Sequence, residues 1–187
     1  MNWTKLKRIA APTIPVLTVD DVKRHLNIAH SDEDTLIEVL IDVAAEVIDG
    51  PNGIGLALLP QQWRLSLDRL DSVISLPLHP VQSVQSVTVY PDGWTGGIII
   101  EPESYHLDTD QRPARIIFDT KVAGWNAPMK IEFTAGYPAP ADVPADLKHV
   151  IRLLVGHYYM HREATSEAAI NEIPMAVASI LQRHAGF

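Results

Sequence analysis

Leu147, Val150, Ile151, Leu154, Val155 and Tyr158 follow the spacing i, i+3, i+4, i+7, i+8, i+11 without a break. That is the period of one face of a helix, and a strand cannot use it. The spacing predicts a helix over 144–163. The chain enters it through the segment IEFTAGYP at 131–138, which reads as a strand closed by a Gly-Tyr-Pro turn. The opposite side of the same helix carries His149, Leu153, Gly156 and Met160, which are mostly uncharged. A surface helix ordinarily shows water a polar back. A helix apolar or small on both sides is therefore packed twice, within its own subunit or against another. Gly156 costs about 1 kcal/mol of helix propensity relative to Ala, which a close helix or subunit contact would explain. These four residues are the candidate subunit-packing set, and an oligomer is expected.

A second apolar set at helical spacing, Leu36, Ile37, Leu40, Ile41, Val43, Ala44, Val47 and Ile48, predicts a helix beginning at Ser31. Asp32, Glu33 and Asp34 favour its first turn, and Gly50-Pro51-Asn52-Gly53 stops it. Thr18 with Asp21 three residues later marks a short helix ending near Leu26. Pro12 and Pro15 keep residues 1–17 extended. Between the helical segments the period changes to two. Trp63, Leu65 and Leu67 alternate with Arg64, Ser66 and Asp68. Val81, Val84, Val87 and Val89 mark a β-branched strand, and short strands follow at 97–101, 105–107, 115–119 and 129–134. Strands in succession with no helix between them imply an antiparallel sheet or a small sandwich. The fold class is α+β: a small helical bundle with an inserted antiparallel β region and a C-terminal arm. The expected organisation is one domain over 1–163, with helices in 18–49 and 144–163 and a β-rich insert at 58–138. The arm at 164–187 is loosely patterned, then turns into a short helix opened by Pro174.

Composition narrows the chemistry. The chain has no cysteine, so disulfides, thiol catalysis and Cys-type metal sites are excluded. No apolar run reaches the roughly 20 residues of a membrane helix. Lys5, Lys7 and Arg8 precede no apolar stretch of the signal-peptide kind, so no signal peptide is expected. A net charge of −8 argues against binding nucleic acid by phosphate neutralisation. Asp34, Glu38, Asp42 and Glu46 recur at i+4 and read as a solvated face or as a functional acidic stripe facing a DNA channel or a basic partner. Gly53-Ile54-Gly55 is no phosphate loop, because it follows a helix and Leu58 stands where the third glycine belongs. Asp108-Thr109-Asp110 reads as a turn. His157 and His161, four apart, could reach one metal ion, yet Tyr158 replaces the glutamate of HExxH and no third ligand is given by spacing. Arg162-Glu163 reads as an ion pair or cap. Trp63 alternates into a core, while Trp94 and Trp125, beside turn glycines, read as exposed anchors.

Seven segments taken in order resemble the head–tail connector (adaptor) proteins of tailed phages, prophages and gene transfer agents. They are LTVDDVKRHLNI (17–28), DEDTLIEVLIDVAAEVIDG (32–50), LLPQQWRLSLD (58–68) and LPLHPVQSVQSVTVY (76–90), then IEFTAGYP (131–138), VPADLKHVIRLLVGHYYMHRE (143–163) and IPMAVASILQRH (173–184). The match is poorest over 91–128, and GPNG stands where a Thr-Gly turn is expected. The resemblance implies a structural virion protein with no cofactor and no catalytic residues. It implies a ring, of twelve subunits like the portal, at the head's exit vertex. Such a ring joins the portal to a stopper or tail-completion protein, and DNA passes through it without sequence-specific binding. Apolar helix faces would close the ring, the acidic stripe would line its lumen, and Pro174, Met175, Ala178 and Leu181 would belong to a mobile arm that orders on the portal. Assembly would take place in the host cytoplasm. Two other readings are a metal-dependent hydrolase built on His157 and His161, and a monomeric ligand-binding β module anchored by Trp94 and Trp125.

Overall fold

The computed structural model describes residues 5–91, 93–122, 126–161 and 175–185, with the side chains of Met175 and Ala176 outside the description. Arg162, Glu163, Pro174, Trp125 and the stretch 164–174 lie outside the described residues.

Two hydrophobic cores share one chain. The helical core starts at α1 (Val19–Leu26), which the Thr18–Asp21 capping box opens from both sides: the Thr18 hydroxyl accepts the Asp21 N–H, and the Asp21 carboxylate accepts the Thr18 N–H. Asn27 ends it in the left-handed conformation that asparagine tolerates. Helix α2 (Asp34–Glu46) begins three residues later than Ser31 suggests, after a turn at 31–33, and Glu33 at its start makes no capping bond through its side chain. Its buried face is narrower than the sequence stripe: Ile37, Ile41 and Ala44 are enclosed, whereas Val43 is exposed. Helix α3 (Ala145–Met160) buries Leu147, Val150, Ile151, Leu154 and Val155, the face that their spacing predicts, against α2. Helix α4 (Met175–His184) lies on α3, adding Val177 and Leu181 to the helical core.

The β region forms two antiparallel sheets around one core, the sandwich form of the two that the strand succession allows. Strands β1 (Leu6–Ala10), β2 (Gln61–Leu67), β4 (Val81–Val89), β5 (Ile98–Ile99) and β8 (Met129–Ala135) make a five-stranded sheet in the order β1-β2-β8-β4-β5, with every pair antiparallel. Strands β3 (Val73–Ser75), β6 (Tyr105–Asp108) and β7 (Arg115–Phe118) make the second, in the order β3-β7-β6. Their inner faces enclose Trp63, Leu65, Val87, Ile116, Met129, Ile131 and Phe133. The alternation of β8, buried at Met129, Ile131, Phe133 and Ala135, is the period-two pattern with one wet face. Two strands escaped the sequence reading. The segment assigned to an extended arm contains β1, and β3 has only three residues.

The connection 47–59 joins the two cores. Leu56 forms isolated parallel bridges to Asp49 and to His79, and Leu56, Leu58 and Leu59 fill the helical core. At the end of β8, Gly136 has φ +129°, and a Cβ there would lie 2.1 Å from the Leu59 carbonyl oxygen. Only glycine lets β8 pass so close to this connection before the chain turns toward α3.

Candidate functional site

The acidic side of α2 faces a groove of about 390 Å³. One wall is the extended segment after β1, with Pro12, Pro15, Val16 and Leu17, and the floor is Ile41, Ala45, Leu58 and Leu59. Glu38, Asp42 and Glu46 stand exposed along the rim. Asp34 leaves the row: its carboxylate accepts the Lys23 ammonium at 2.7 Å, tying α2 to α1 and neutralising that charge. The i+4 stripe of the sequence is thus three carboxylates with no ionic partner among the described residues and one paired carboxylate. Beside them, Val39 and Val43 are exposed, so α2 offers a mixed acidic and apolar face.

At the end of the groove Asp49 is nearly enclosed. It accepts the Leu58 N–H at 2.9 Å and the Gln61 side-chain amide at 2.9 Å, and Arg8 approaches it at 3.7 Å. Burial raises its pKa above the ordinary carboxylate value, partly countered by the two hydrogen bonds and by Arg8, and the charge of Glu46 raises it further. Asp49 stitches β1, β2 and the end of α2 together. Nothing local marks it in the sequence, because its partners are 9 to 41 residues away.

For two of the four candidate packing residues, α1 of the same chain is the neighbour. A Cβ on Gly156 would lie 3.3 Å from a Leu26 methyl, and the His149 ring meets His25 edge-on at 6.4 Å between centroids. Leu153 is half-buried, and Met160 is 75% exposed. The His157 and His161 rings lie 4.6 Å apart, but the His161 Nδ1 is 2.9 Å from the His157 carbonyl oxygen, a local bond at the helix end. Among the described residues no group of three or more His, Asp or Glu converges on a point where a metal ion could be held. Asp108 accepts the Asp110 N–H and binds Arg115 at 3.5 Å, which makes Asp108-Thr109-Asp110 the turn that its composition suggested.

Helix α4 is fastened to the start of α3. His184 Nε2 lies 2.8 Å from an Asp146 carboxylate oxygen, with Arg183 at 3.7 Å. The His184 bond, aided by the charges of His184 and Arg183, holds Asp146 below the ordinary carboxylate range. Of the candidate arm residues, Leu181 faces the core of its own subunit and Ala178 is exposed. Trp63 is buried and Trp94 is exposed, stacked near Tyr90 with centroids 5.5 Å apart, and Lys130 lies over both rings.

Residues 16–91, covering α1, α2 and the strands through β4, match the family described as Phage gp6-like head-tail connector protein. No curated protein matches the chain. Three similar solved chains come from gene transfer agent (GTA) particles, and each alignment covers 95% of this chain and 93% of the other. A chain of the virion of a native particle aligns with TM-score 0.78 at 23% identity. A chain of the neck of an empty particle computed with C6 symmetry gives 0.75 at 23%, and one from the neck of a native particle computed with C12 symmetry gives 0.70 at 22%. Residues 16–91 are thus similar to the phage gp6-like head-tail connector family, and over nearly its whole length the chain has the fold of chains in gene transfer agent particles.

Proposed function

We propose that this chain is a structural virion protein that forms a ring between the portal and the stopper or tail, extending the DNA exit channel. The observation that carries the reading is the coincidence of the connector-family match with a whole-chain fold likeness to particle necks computed with C6 and C12 symmetry. The C12 symmetry of one such neck supports a ring of twelve copies. Its partners are further copies of itself, the portal and a stopper, and it works by assembly without cofactor chemistry. The lumen charge is carried by Glu38, Asp42 and Glu46, since Asp34 is neutralised by Lys23. An acidic wall repels phosphates and lets DNA slide. Contacts between copies use Met160 and the exposed side of Leu153, with His149 and Gly156 supporting α3 through α1. The C-terminal segment 164–187 is the portal-binding arm, and α4 rests on its own subunit until the portal is met. Assembly in the host cytoplasm precedes incorporation into the virion.

The test is complementation of particle assembly. A strain lacking the chain accumulates DNA-filled heads without tails, and the intact chain restores joining. A chain ending at residue 163 remains folded and fails to join. If tails attach without the chain, the reading is wrong. If the shortened chain completes joining, the arm assignment is wrong.

A further inference from the structure

Helix α4 has two unlike sides. Val177, Ile180, Leu181 and His184 stand at i, i+3, i+4 and i+7, so they share one face. That face is turned to the helical core of its own subunit: Val177 and Leu181 are buried, and Ile180 packs against the same core. His184 ends the row, with its Nε2 2.8 Å from an Asp146 carboxylate oxygen at the start of α3. The other side carries Ala178, Ser179, Gln182, Arg183 and Ala185, all exposed. None of these is a large apolar residue.

A helix that docks in a groove grips it through anchors at i, i+3, i+4 and i+7. Buried anchors supply most of the grip, and exposed small or polar residues add little. Among its described side chains α4 has one such set of anchors, and its own subunit already holds it. A partner that captures α4 must therefore take the face now packed on α3, so the two dockings exclude each other. The present contact also describes the partner's site. That site has to offer an apolar groove for Val177, Ile180 and Leu181. At its end it needs a carboxylate for His184 and Arg183, the place that Asp146 fills at 2.8 and 3.7 Å. The exchange is within reach of the chain. A helix of ten residues is marginal without a partner surface, so α4 is held by this contact and not by its own propensity. Residues 161–174 join it to α3, and a stretch of that length extends to about 45–50 Å, so α4 can leave without moving α3.

We infer that the subunit's own α3 and the portal compete for the Val177, Ile180, Leu181 and His184 face of α4, and that the portal's site is an apolar groove with an acidic end. This rests on the portal-binding reading of the arm and names the face that binds and the chemistry that receives it. The chain lacks cysteine, so Asp146→Cys together with His184→Cys gives a specific pair for a short, reducible bis-methanethiosulfonate. Binding of the full-length double variant to immobilised portal rings is expected to fall at least tenfold when the two are linked and to return on reduction. Capping the two cysteines singly with methyl methanethiosulfonate is expected to leave binding within twofold of the reduced form. Asp146→Ala frees α4 from a half-exposed ion pair and is expected to tighten portal binding about two- to fivefold. Arg183→Glu with His184→Glu also frees α4, yet it is expected to weaken portal binding at least tenfold, because the acidic end of the portal's site repels it. Circular dichroism and melting of each variant report folding separately. Equal binding by linked and reduced chains would overturn the competition and leave the arm reading standing. Tighter binding by the charge-reversed chain would overturn the acidic site. A wild-type chain that binds the portal no better than one ending at residue 163 would overturn both the inference and the arm reading.

Discussion

Leu181→Ala separates the docking of α4 from the stability of the rest of the chain. Val177 and Leu181 are the apolar anchors of α4, enclosed in the helical core. Burying two such side chains contributes roughly 3–6 kcal/mol before ordering costs. A ten-residue helix is marginal alone in water, so α4 depends on this contact. Truncating Leu181 removes about 2–3 kcal/mol, the low end for Leu→Ala because a docked surface helix can settle into part of the space. That increases the population of undocked α4 by about 30- to 150-fold. Hydrogen exchange followed by mass spectrometry reads it. Peptides covering 175–185 should exchange faster by that factor, while α2, the middle of α3 and β8 keep their protection, because local openings need not involve the global core. Ala178→Ser, on the exposed side, should change exchange little. Equal loss of protection across all helices would refute the reasoning, and so would unchanged exchange at 175–185. Acid should act on the same contact. Asp146 has a lowered folded pKa, so its contribution is present above 3.8, the ordinary value, and is lost as pH falls through the lowered one.

Asp49→Ala leaves the Gln61 amide and the Leu58 N–H without their acceptor and should cost about 1–3 kcal/mol in urea denaturation, whereas Asp49→Asn should cost less because it still offers an acceptor. His79 is buried, and burial, with the charge of Arg112 adding to it, pushes its pKa down from 6.5 to about 4. Its unfolded form therefore takes up a proton first, so stability should fall between pH 6.5 and 4 by up to about 3 kcal/mol, and His79→Gln should flatten that slope in melts across the range. Gly156→Ala should raise stability by up to about 1 kcal/mol, since the Leu26 methyl can give by a few tenths of an ångström, while Gly156→Leu should push α1 away and lower the melting temperature.

The helices were legible because their signals are local. The Thr18–Asp21 box and the run from Leu147 to Tyr158 each lie within a few turns of chain, and both behave as their spacing requires. The long strands β2, β4 and β8 were legible for the same reason. What the sequence hid depends on partners far along the chain. Strand β1 exists because β2 offers it an edge, not because LKRIA has a strong pattern. Asp49 gains its role from Gln61 and Arg8, and Asp34 loses its place in the acidic row to Lys23. The exposed Val43 shows the limit of period counting, which cannot tell how wide a face the neighbours will cover. Which strand joins which of the two sheets is likewise a matter of non-local pairing.

The central claim is a ring at the head–tail junction, and cryo-electron microscopy of particles carrying this chain tests it most directly. The account predicts a closed ring of twelve copies between portal and tail, with Glu38, Asp42 and Glu46 toward the channel. A neck without this chain, or density for it as isolated copies elsewhere in the particle, would contradict it.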